Sequence, residues 1–193
     1  MSILPQRLPQ RVSDRLGRGL AKLGLTPNML SLLGLAGNAA AAGLAASGEL
    51  IAAGVVFLFF SAFDMLDGAV ARATGRATPY GAVLDAVLDR VSESFVLTGC
   101  AWHLAERGAA WEVWAAFGAL SGSVLVSYIR ARAELAGHTL REGLLRRQER
   151  VVLLGLGLLS GFLGPALLAI AVLAHVTALQ RFWMLARALR GNG

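Results

Sequence analysis

Six apolar segments, separated by short polar stretches, account for most of this 193-residue sequence. A helix that crosses a bilayer needs about 20 mostly apolar residues. The chain is 56% hydrophobic with a mean hydropathy of +0.61, a composition typical of membrane proteins. We therefore predict an all-α integral membrane protein with six transmembrane helices. The predicted segments are residues 27–47, 50–74, 79–105, 111–136, 151–163 and 165–185, the fifth being short and expected to begin earlier, near 147–150.

Local signals mark the ends of several predicted helices. Thr26-Pro27 and Thr78-Pro79 each offer a hydroxyl that can cap a helix, followed by a proline at the first helical position. Glycine, which tolerates the left-handed backbone of tight turns, occurs between the segments. We predict turns at Gly48, Gly108 and Gly164.

The basic residues predict the orientation of the helices, because cytoplasmic flanks are enriched in arginine and lysine. If the N-terminus is inside, only Arg107 of the 18 basic residues falls outside. The cytoplasmic set is Arg7, Arg11, Arg15, Arg18, Lys22, Arg72, Arg76, Arg90, Arg130, Arg132, Arg141, Arg146, Arg147, Arg150, Arg181, Arg187 and Arg190. This asymmetry predicts that both termini are cytoplasmic.

The segment at 1–25 has a pattern of its own, with basic residues at helical spacing opposite the apolar stripe Leu8, Val12, Leu16, Leu20 and Leu23. The pattern indicates an amphipathic helix on the cytoplasmic leaflet, and the alternative is a solvated basic tail. We assign the net charge of +6 to contact with anionic lipid and not with nucleic acid, because the aromatic residues lie in apolar segments. Residues 1–193 are interpreted as one domain, with the membrane bundle at 26–190.

Four of the five aspartates lie between positions 64 and 89, in otherwise apolar sequence. Asp64 and Asp67 are three residues apart and Asp85 and Asp89 are four apart, so each pair shares one face of its helix. The short connection at 74–78 predicts antiparallel neighbouring helices. Because a helix rises by about 1.5 Å per residue, all four carboxylates can then lie at a similar depth below the cytoplasmic surface.

Carboxylates at this density require a counter-charge. Each aspartate within a span costs on the order of 3 kcal/mol, so four without compensation cost roughly 12 kcal/mol. Hard divalent cations prefer oxygen ligands, and the cluster contains no histidine or cysteine that would favour zinc. Two Mg²⁺ ions, or Mn²⁺, would balance the four charges and suit a displacement at phosphorus.

The spacing of these residues resembles a known signature. Every fixed position of the CDP-alcohol phosphotransferase (CDP-alcohol phosphatidyltransferase) motif is matched by Asp64-x2-Asp67-Gly68-x2-Ala71-Arg72-x8-Gly81-x3-Asp85-x3-Asp89. The resemblance implies an enzyme in which an alcohol hydroxyl attacks the β-phosphorus of a CDP-linked lipid and CMP is released. It also implies a homodimer.

The resemblance assigns roles to individual residues. It implies that Asp64, Asp67, Asp85 and Asp89 bind the two metal ions and that Asp89 is also the general base. The residues expected to contact CDP-diacylglycerol are Asn28, Met29, Leu30, Ser31, Gly68, Ala71, Arg72, Thr78 and Gly81. Simple helix packing is the alternative for most of the small residues, although Gly68 and Gly81 each lie one turn from a carboxylate.

Along nearly the whole chain the sequence is similar to the phosphatidylinositol phosphate synthases of this family, for example in "YGAVLDAVLDRVSE" and "RRQERVVLL". By this resemblance, inositol phosphate would bind at Ser127, Arg130, Arg150 and Arg181. Arg130 stands where these enzymes often have lysine, and Gln148 stands where they often have proline.

The arginines also predict an anionic acceptor independently of the family. An anionic headgroup needs fixed cationic donors, and Arg130 and Arg150 are the favoured candidates. We interpret Arg132, Arg146 and Arg147 as positive-inside anchors.

Two other functions fit parts of the pattern. A phosphatidylglycerophosphate synthase would use the same chemistry with glycerol phosphate as acceptor. A cation transporter or channel could use the aspartates as a translocation site, but it would not require Gly68, Ala71 and Arg72 at their fixed spacing. The favoured interpretation is a multi-pass protein of the cell inner membrane whose active site faces the cytoplasm.

Overall fold

The computed structural model describes residues 19–20, 22, 24–73, 75, 78–140 and 143–191, without the side chains of 64, 65, 67–69, 72, 73 and 191. Six helices are described from end to end, and each corresponds to one predicted segment. The predicted amphipathic helix at 1–25 lies largely outside the described residues. The six helices are α1 Pro27–Ala46, α2 Leu50–Ala73, α3 Pro79–Glu106, α4 Ala110–Leu135, α5 Arg147–Ser160 and α6 Leu163–Gly191.

The predicted helix caps are confirmed. The Thr26 hydroxyl oxygen accepts a hydrogen bond from the Met29 amide at 3.3 Å, and the Thr78 hydroxyl oxygen accepts one from the Gly81 amide at 3.0 Å. These bonds satisfy amides that would otherwise lack partners at the beginning of α1 and α3. Helix α5 begins at Arg147, which confirms the prediction that it starts before the apolar run at 151–163.

Two of the three predicted turn glycines have the expected left-handed backbone, with φ of +88° at Gly48 and +69° at Gly108. The prediction at Gly164 is wrong, because this residue lies inside α6. The chain turns instead at Gly161, whose φ of +78° ends α5. Pro165 then falls within the first turn of α6, where a missing amide hydrogen carries no penalty.

Within the described part of the chain, three helices are long and apolar enough to cross a membrane, namely Pro27–Ala46, Ala110–Leu135 and Leu163–Arg190. The apolar part of α2 is shorter, covering Leu50–Phe63. With 14 residues, α5 is about 21 Å long, whereas the hydrocarbon core of a bilayer is about 30 Å thick. The structure therefore supports a membrane protein built from helices.

The chain divides into two compact units at residue 103. We call the described residues up to His103 the N-terminal unit and those from Leu104 onward the C-terminal unit. In the N-terminal unit, α2 runs antiparallel to α1, because only residues 47–49 connect the two helices. The helices are in contact: a side chain at Gly37 would overlap the Phe60 ring, and the Ser61 hydroxyl donates to the buried Asn38 side chain at 3.5 Å.

In the same unit, α3 runs parallel to α1. Near the end of the two helices, a Cβ at Gly99 would overlap the carbonyl oxygen of Ala42. Near their beginning, a Cβ at Gly81 would lie 3.7 Å from the Asn28 side-chain oxygen. Because both contacts progress in the same direction along both helices, the N-termini of α1 and α3 are adjacent.

In the C-terminal unit, α6 packs against both α4 and α5. Small residues permit the close approach: a Cβ at Gly122 would lie 2.8 Å from that of Ala174, and one at Gly157 would lie 2.5 Å from that of Ala166. Such small-residue contacts are typical of helix pairs in membranes. The segment before α5 is attached to α6 by a hydrogen bond from the Leu145 amide to the Thr177 hydroxyl at 3.0 Å.

Candidate active site

The aspartates of α3 lie in its first three turns. Asp89 is buried, with 8% of its surface exposed, and Asp85 is partly buried one turn before it. A guanidinium nitrogen of Arg90, Nη1, lies 3.2 Å from Asp89 Oδ2 and also donates to the Ala86 carbonyl at 3.0 Å. Arg90 is thus held by its own helix while it contacts the carboxylate. It is absent from the sequence-predicted site residues, although its position directly after Asp89 is a usable signal.

The other two aspartates, Asp64 and Asp67, belong to α2 as predicted, and their side chains lie outside the described residues. Their backbone level follows from the helix pairing. Ser61 contacts Asn38, so in the antiparallel α2 the positions of Asp64 and Asp67 lie near the level of residues 35 and 32 of α1.

The same reasoning places the aspartates of α3. Gly81 lies beside Asn28, so in the parallel α3 the positions of Asp85 and Asp89 lie near the level of residues 32 and 36 of α1. Counted from the Gly99–Ala42 contact, the same two positions lie near residues 28 and 32. The four backbone positions therefore fall within about 12 Å along the α1 axis.

The beginnings of α1 and α3 contain four of the residues predicted to contact the CDP-lipid. A Cβ at Gly81 would lie 3.2 Å from Thr78 Oγ1, so glycine leaves open the space between Thr78 and Asn28. Asn28 and Met29 are exposed. Since helix N-termini carry partial positive charge and unpaired amides, two adjacent ones are a suitable place for phosphate groups.

The remaining predicted contacts of the CDP-lipid are of different kinds. Leu30 is fully buried, and the Ser31 hydroxyl, also buried, donates to the Pro27 carbonyl at 3.2 Å. Ala71 is partly buried on α2. Gly68 and Arg72 are on α2 as well, where only the backbone of these two residues is described.

Two of the residues predicted to bind the acceptor are buried arginines of the C-terminal unit. Arg150 is 2% exposed in the first turn of α5, and Arg181 is 5% exposed on α6. Arg181 Nη1 donates to the Val126 carbonyl of α4 at 3.1 Å. A Cβ at Gly143, the residue with φ of +151° before α5, would lie 3.3 Å from Arg181 Nε. The segment before α5 therefore lies directly against Arg181.

The other two predicted acceptor residues lie on α4 in a different setting. Arg130 is exposed, and its Nε donates to Glu134 Oε1 at 2.8 Å, one turn along the same helix. The partly buried Ser127 donates its hydroxyl hydrogen to the Ser123 carbonyl at 3.1 Å. Arg130 is thus exposed and paired with Glu134, whereas Arg150 and Arg181 are buried.

The donor set of the N-terminal unit fits a hard divalent cation. Asp85 and Asp89 supply carboxylate oxygens, the ligands preferred by Mg²⁺ and Mn²⁺. Among the residues whose side chains are described, no three His, Cys, Asp or Glu residues form a metal-ligand group, and Asp64 and Asp67 are not in that set.

Apolar helices long enough to cross a bilayer, together with a buried carboxylate paired to an arginine, are typical of one class, the helical membrane proteins with a polar site. Comparison with known proteins is more specific. A sequence model of the CDP-alcohol phosphatidyltransferase family matches residues 24–180. The chain belongs to this family of enzymes, as its motif predicts.

Similar proteins include a phosphatidylinositol phosphate synthase of Mycobacterium tuberculosis, 39% identical over 186 residues, covering 89% of this chain and 84% of the relative. An archaetidylinositol phosphate synthase of Pyrococcus horikoshii is 37% identical over 171 residues, covering 88% of each chain. The two names differ in the lipid and share the inositol phosphate.

Two crystal structures of the M. tuberculosis synthase are also similar to this chain. The structure with CDP-DAG bound has a TM-score of 0.80 at 36% identity, covering 91% of this chain and 94% of the other. The structure in complex with manganese and citrate has a TM-score of 0.79 at 35% identity, covering 90% and 88%. The predicted resemblance to phosphatidylinositol phosphate synthases is confirmed.

Proposed function

We propose that this enzyme transfers the phosphatidyl group of CDP-diacylglycerol to a hydroxyl of inositol phosphate, giving phosphatidylinositol phosphate and CMP. The observation that carries the reaction class is the aspartate signature on α2 and α3, whose four backbone positions lie at similar levels of the N-terminal unit. The buried arginines of the C-terminal unit support a phosphorylated acceptor.

The donor's pyrophosphate is proposed to bind at the adjacent N-termini of α1 and α3. Their amides and partial positive charge favour an anion, and the space at Gly81 admits it between Thr78 and Asn28. Arg72 would pair with a phosphate oxygen. The complete proposed donor set is Asn28, Met29, Leu30, Ser31, Gly68, Ala71, Arg72, Thr78 and Gly81.

Asp64, Asp67, Asp85 and Asp89 are proposed to hold two divalent cations, Mg²⁺ or the manganese found in the relative's structure. When bound, such cations would neutralise phosphate charge and stabilise the departing CMP. The acceptor hydroxyl oxygen forms a bond to the β-phosphorus while the bond from that phosphorus to the CMP oxygen breaks. Asp89 takes the hydroxyl proton, and Arg90 holds this carboxylate in place.

Inositol phosphate is proposed to bind through Arg150 and Arg181, with Ser127 and Arg130 completing the set. A guanidinium presents its N–H groups in a planar fork that matches a phosphate. Both arginines are buried and Arg181 is fixed by the Val126 carbonyl, so little side-chain freedom is lost when the phosphate binds.

The proposal includes the setting of the enzyme. All six helices cross the inner membrane, both termini and the active site face the cytoplasm, and residues 1–25 lie on the cytoplasmic leaflet. The distribution of basic residues supports this orientation. The match of one family model to residues 24–180 supports a single domain, and the family resemblance supports a homodimer.

The decisive test is CMP release by the purified protein in lipid nanodiscs with Mg²⁺ and CDP-diacylglycerol. Inositol phosphate, unphosphorylated inositol and glycerol phosphate are supplied separately. We expect release with inositol phosphate, and at most a small rate with the other two. Release with glycerol phosphate alone would identify a phosphatidylglycerophosphate synthase instead. A parallel reaction with a CDP-linked archaeal lipid tests whether the donor is diacylglycerol-based, since one relative is named for an archaetidyl product.

A further inference from the structure

Arg146 differs from the membrane-anchoring arginine that its sequence position suggests. Its Nε and Nη1 atoms are shielded from solvent, and no hydrogen-bond acceptor lies near them among the described residues. The backbone amide of Arg146 is occupied, since it donates to Glu149 Oε2 at 2.7 Å. Two donors of a charged group are therefore buried without acceptors among the described residues. This arrangement costs free energy unless a bound anion supplies the acceptor oxygens.

An anchoring arginine has the opposite geometry. To reach lipid phosphates it must carry its guanidinium out to the interface, as long basic side chains near helix ends do. Arg132, on α4, is exposed and fits this description. Arg146 is only partly exposed, and Nε and Nη1 are shielded by the protein, so contact with lipid headgroups does not account for these two donors.

The position of Arg146 associates it with two other cations. It immediately precedes α5, and the Arg150 amide donates to the Arg146 carbonyl at 3.0 Å, so these residues are one helical turn apart on the same face. Gly143, three residues before Arg146, lies against Arg181. Three arginines with buried nitrogen atoms or buried side chains thus surround the beginning of α5, where the helix dipole adds positive charge.

We propose that Arg146 is a third phosphate-binding arginine, which donates through Nε and Nη1 to the phosphate of the acceptor. This proposal rests on the proposed function, because it assigns the phosphate to an alcohol phosphate substrate. A phosphate monoester carries close to two negative charges near neutral pH and three strong acceptor oxygens. It can balance more than one guanidinium group, whereas an unphosphorylated alcohol cannot.

The test compares the wild-type enzyme with Arg146→Gln, Arg146→Lys and the matched control Arg132→Gln, all in nanodiscs. CMP release gives the KM for inositol phosphate and for CDP-diacylglycerol. Loss of hydrogen bonds to a charged group corresponds to roughly a 10- to 100-fold change in binding. We expect Arg146→Gln to raise the acceptor KM by about that factor and to leave the donor KM within about threefold. Arg146→Lys, which keeps the charge and loses the planar fork, should raise the acceptor KM by about 3- to 10-fold.

A second measurement does not depend on turnover. Inorganic phosphate alone should raise the Tm of the wild-type protein and of Arg132→Gln equally, and should raise that of Arg146→Gln much less. If the wild-type enzyme releases no CMP with inositol phosphate, the proposed function fails, and this Tm comparison still decides the role of Arg146. An unchanged acceptor KM, or an equal phosphate-induced Tm shift in Arg146→Gln, would overturn the assignment. Should that variant not fold, a wild-type acceptor KM in Arg146→Lys would overturn it.

Discussion

The candidate site residues of the two units differ in charge, with aspartates in the N-terminal unit and arginines in the C-terminal unit. In the N-terminal unit, the four aspartates belong to two consecutive helices and fall between positions 64 and 89. In the C-terminal unit, the buried arginines Arg150 and Arg181 also belong to two consecutive helices, α5 and α6, and Arg181 is fixed by a backbone carbonyl of a third helix, α4. The acidic group can be recognised from spacing alone. For the basic group, the sequence offers Arg130, Arg150 and Arg181 as candidates, and burial and contacts then distinguish the exposed Arg130 from the two buried arginines.

Because the acidic and basic groups lie in different units, we expect that turnover can be lost without loss of acceptor binding. Removal of metal should have the largest effect on turnover. Chelation with EDTA should abolish CMP release, and Mg²⁺ or Mn²⁺ should restore it, because the aspartates would otherwise repel each other and the pyrophosphate. Binding of inositol phosphate, measured by calorimetry in EDTA, should persist. Loss of acceptor binding together with turnover would show that the arginines alone do not bind the acceptor.

Asp89→Asn should lower the rate of CMP release by about 10³-fold, because the amide cannot take the hydroxyl proton and is a poor metal ligand. The Tm should stay close to that of the wild-type protein, as the shape of the side chain is retained. Glu106→Gln, at the exposed end of the same helix, is the control. A rate near wild type for Asp89→Asn would remove this residue as the general base.

Arg150→Lys and Arg181→Lys should raise the KM for inositol phosphate by about 10-fold each, with the KM for CDP-diacylglycerol nearly unchanged. The physical reason is loss of the bidentate fork, and in Arg181 also loss of the bond to the Val126 carbonyl. Arg187→Lys, an exposed change on α6, should have no effect on either constant. Equal increases in both KM values would mean that the arginines do not distinguish the substrates.

Gly81→Ala should have the smallest effect, a rise of about 3- to 10-fold in the KM for CDP-diacylglycerol at constant acceptor KM. The added methyl would lie 3.2 Å from Thr78 Oγ1 and would narrow the space between the helix N-termini. Gly43→Ala is the matched control, because nothing lies within 4 Å of a Cβ at that position. An unchanged donor KM in Gly81→Ala would place the pyrophosphate elsewhere.

The sequence predicted the helices well because their end signals are local. Thr26 and Thr78 cap α1 and α3, because each hydroxyl oxygen accepts a hydrogen bond from the backbone amide three residues further along the chain. The turn between α5 and α6 was harder to predict, because Gly161 and Gly164 can both adopt a turn conformation. Pro165 is compatible with a turn at either glycine. Packing of α6 against Glu112 is a tertiary property, and a Cβ at Gly164 would lie 2.7 Å from the Glu112 carboxyl carbon.

The site is predictable only where its residues have a fixed spacing. The aspartate signature identifies the family, a prediction that the family match confirms. The arginines have no such spacing, and their formal charges are identical in the sequence. Only the structure shows that Arg130 is paired at the surface, that Arg150 and Arg181 are buried, and that two nitrogens of Arg146 lack acceptors among the described residues.

The first turns of α1 combine a polar end with an apolar outer surface. Asn28 lies beside Gly81, and the exposed side chains Met29, Leu32 and Leu33 follow at helical spacing along the same helix. A two-chain amphiphile could approach by diffusion in the plane of the membrane, with its tails against these side chains and its headgroup at the helix ends. Its acyl chains would stay out of water, and this matters because transfer of a methylene group into water costs about 0.8 kcal/mol. This surface would thus reduce the search for the lipid substrate from three dimensions to two.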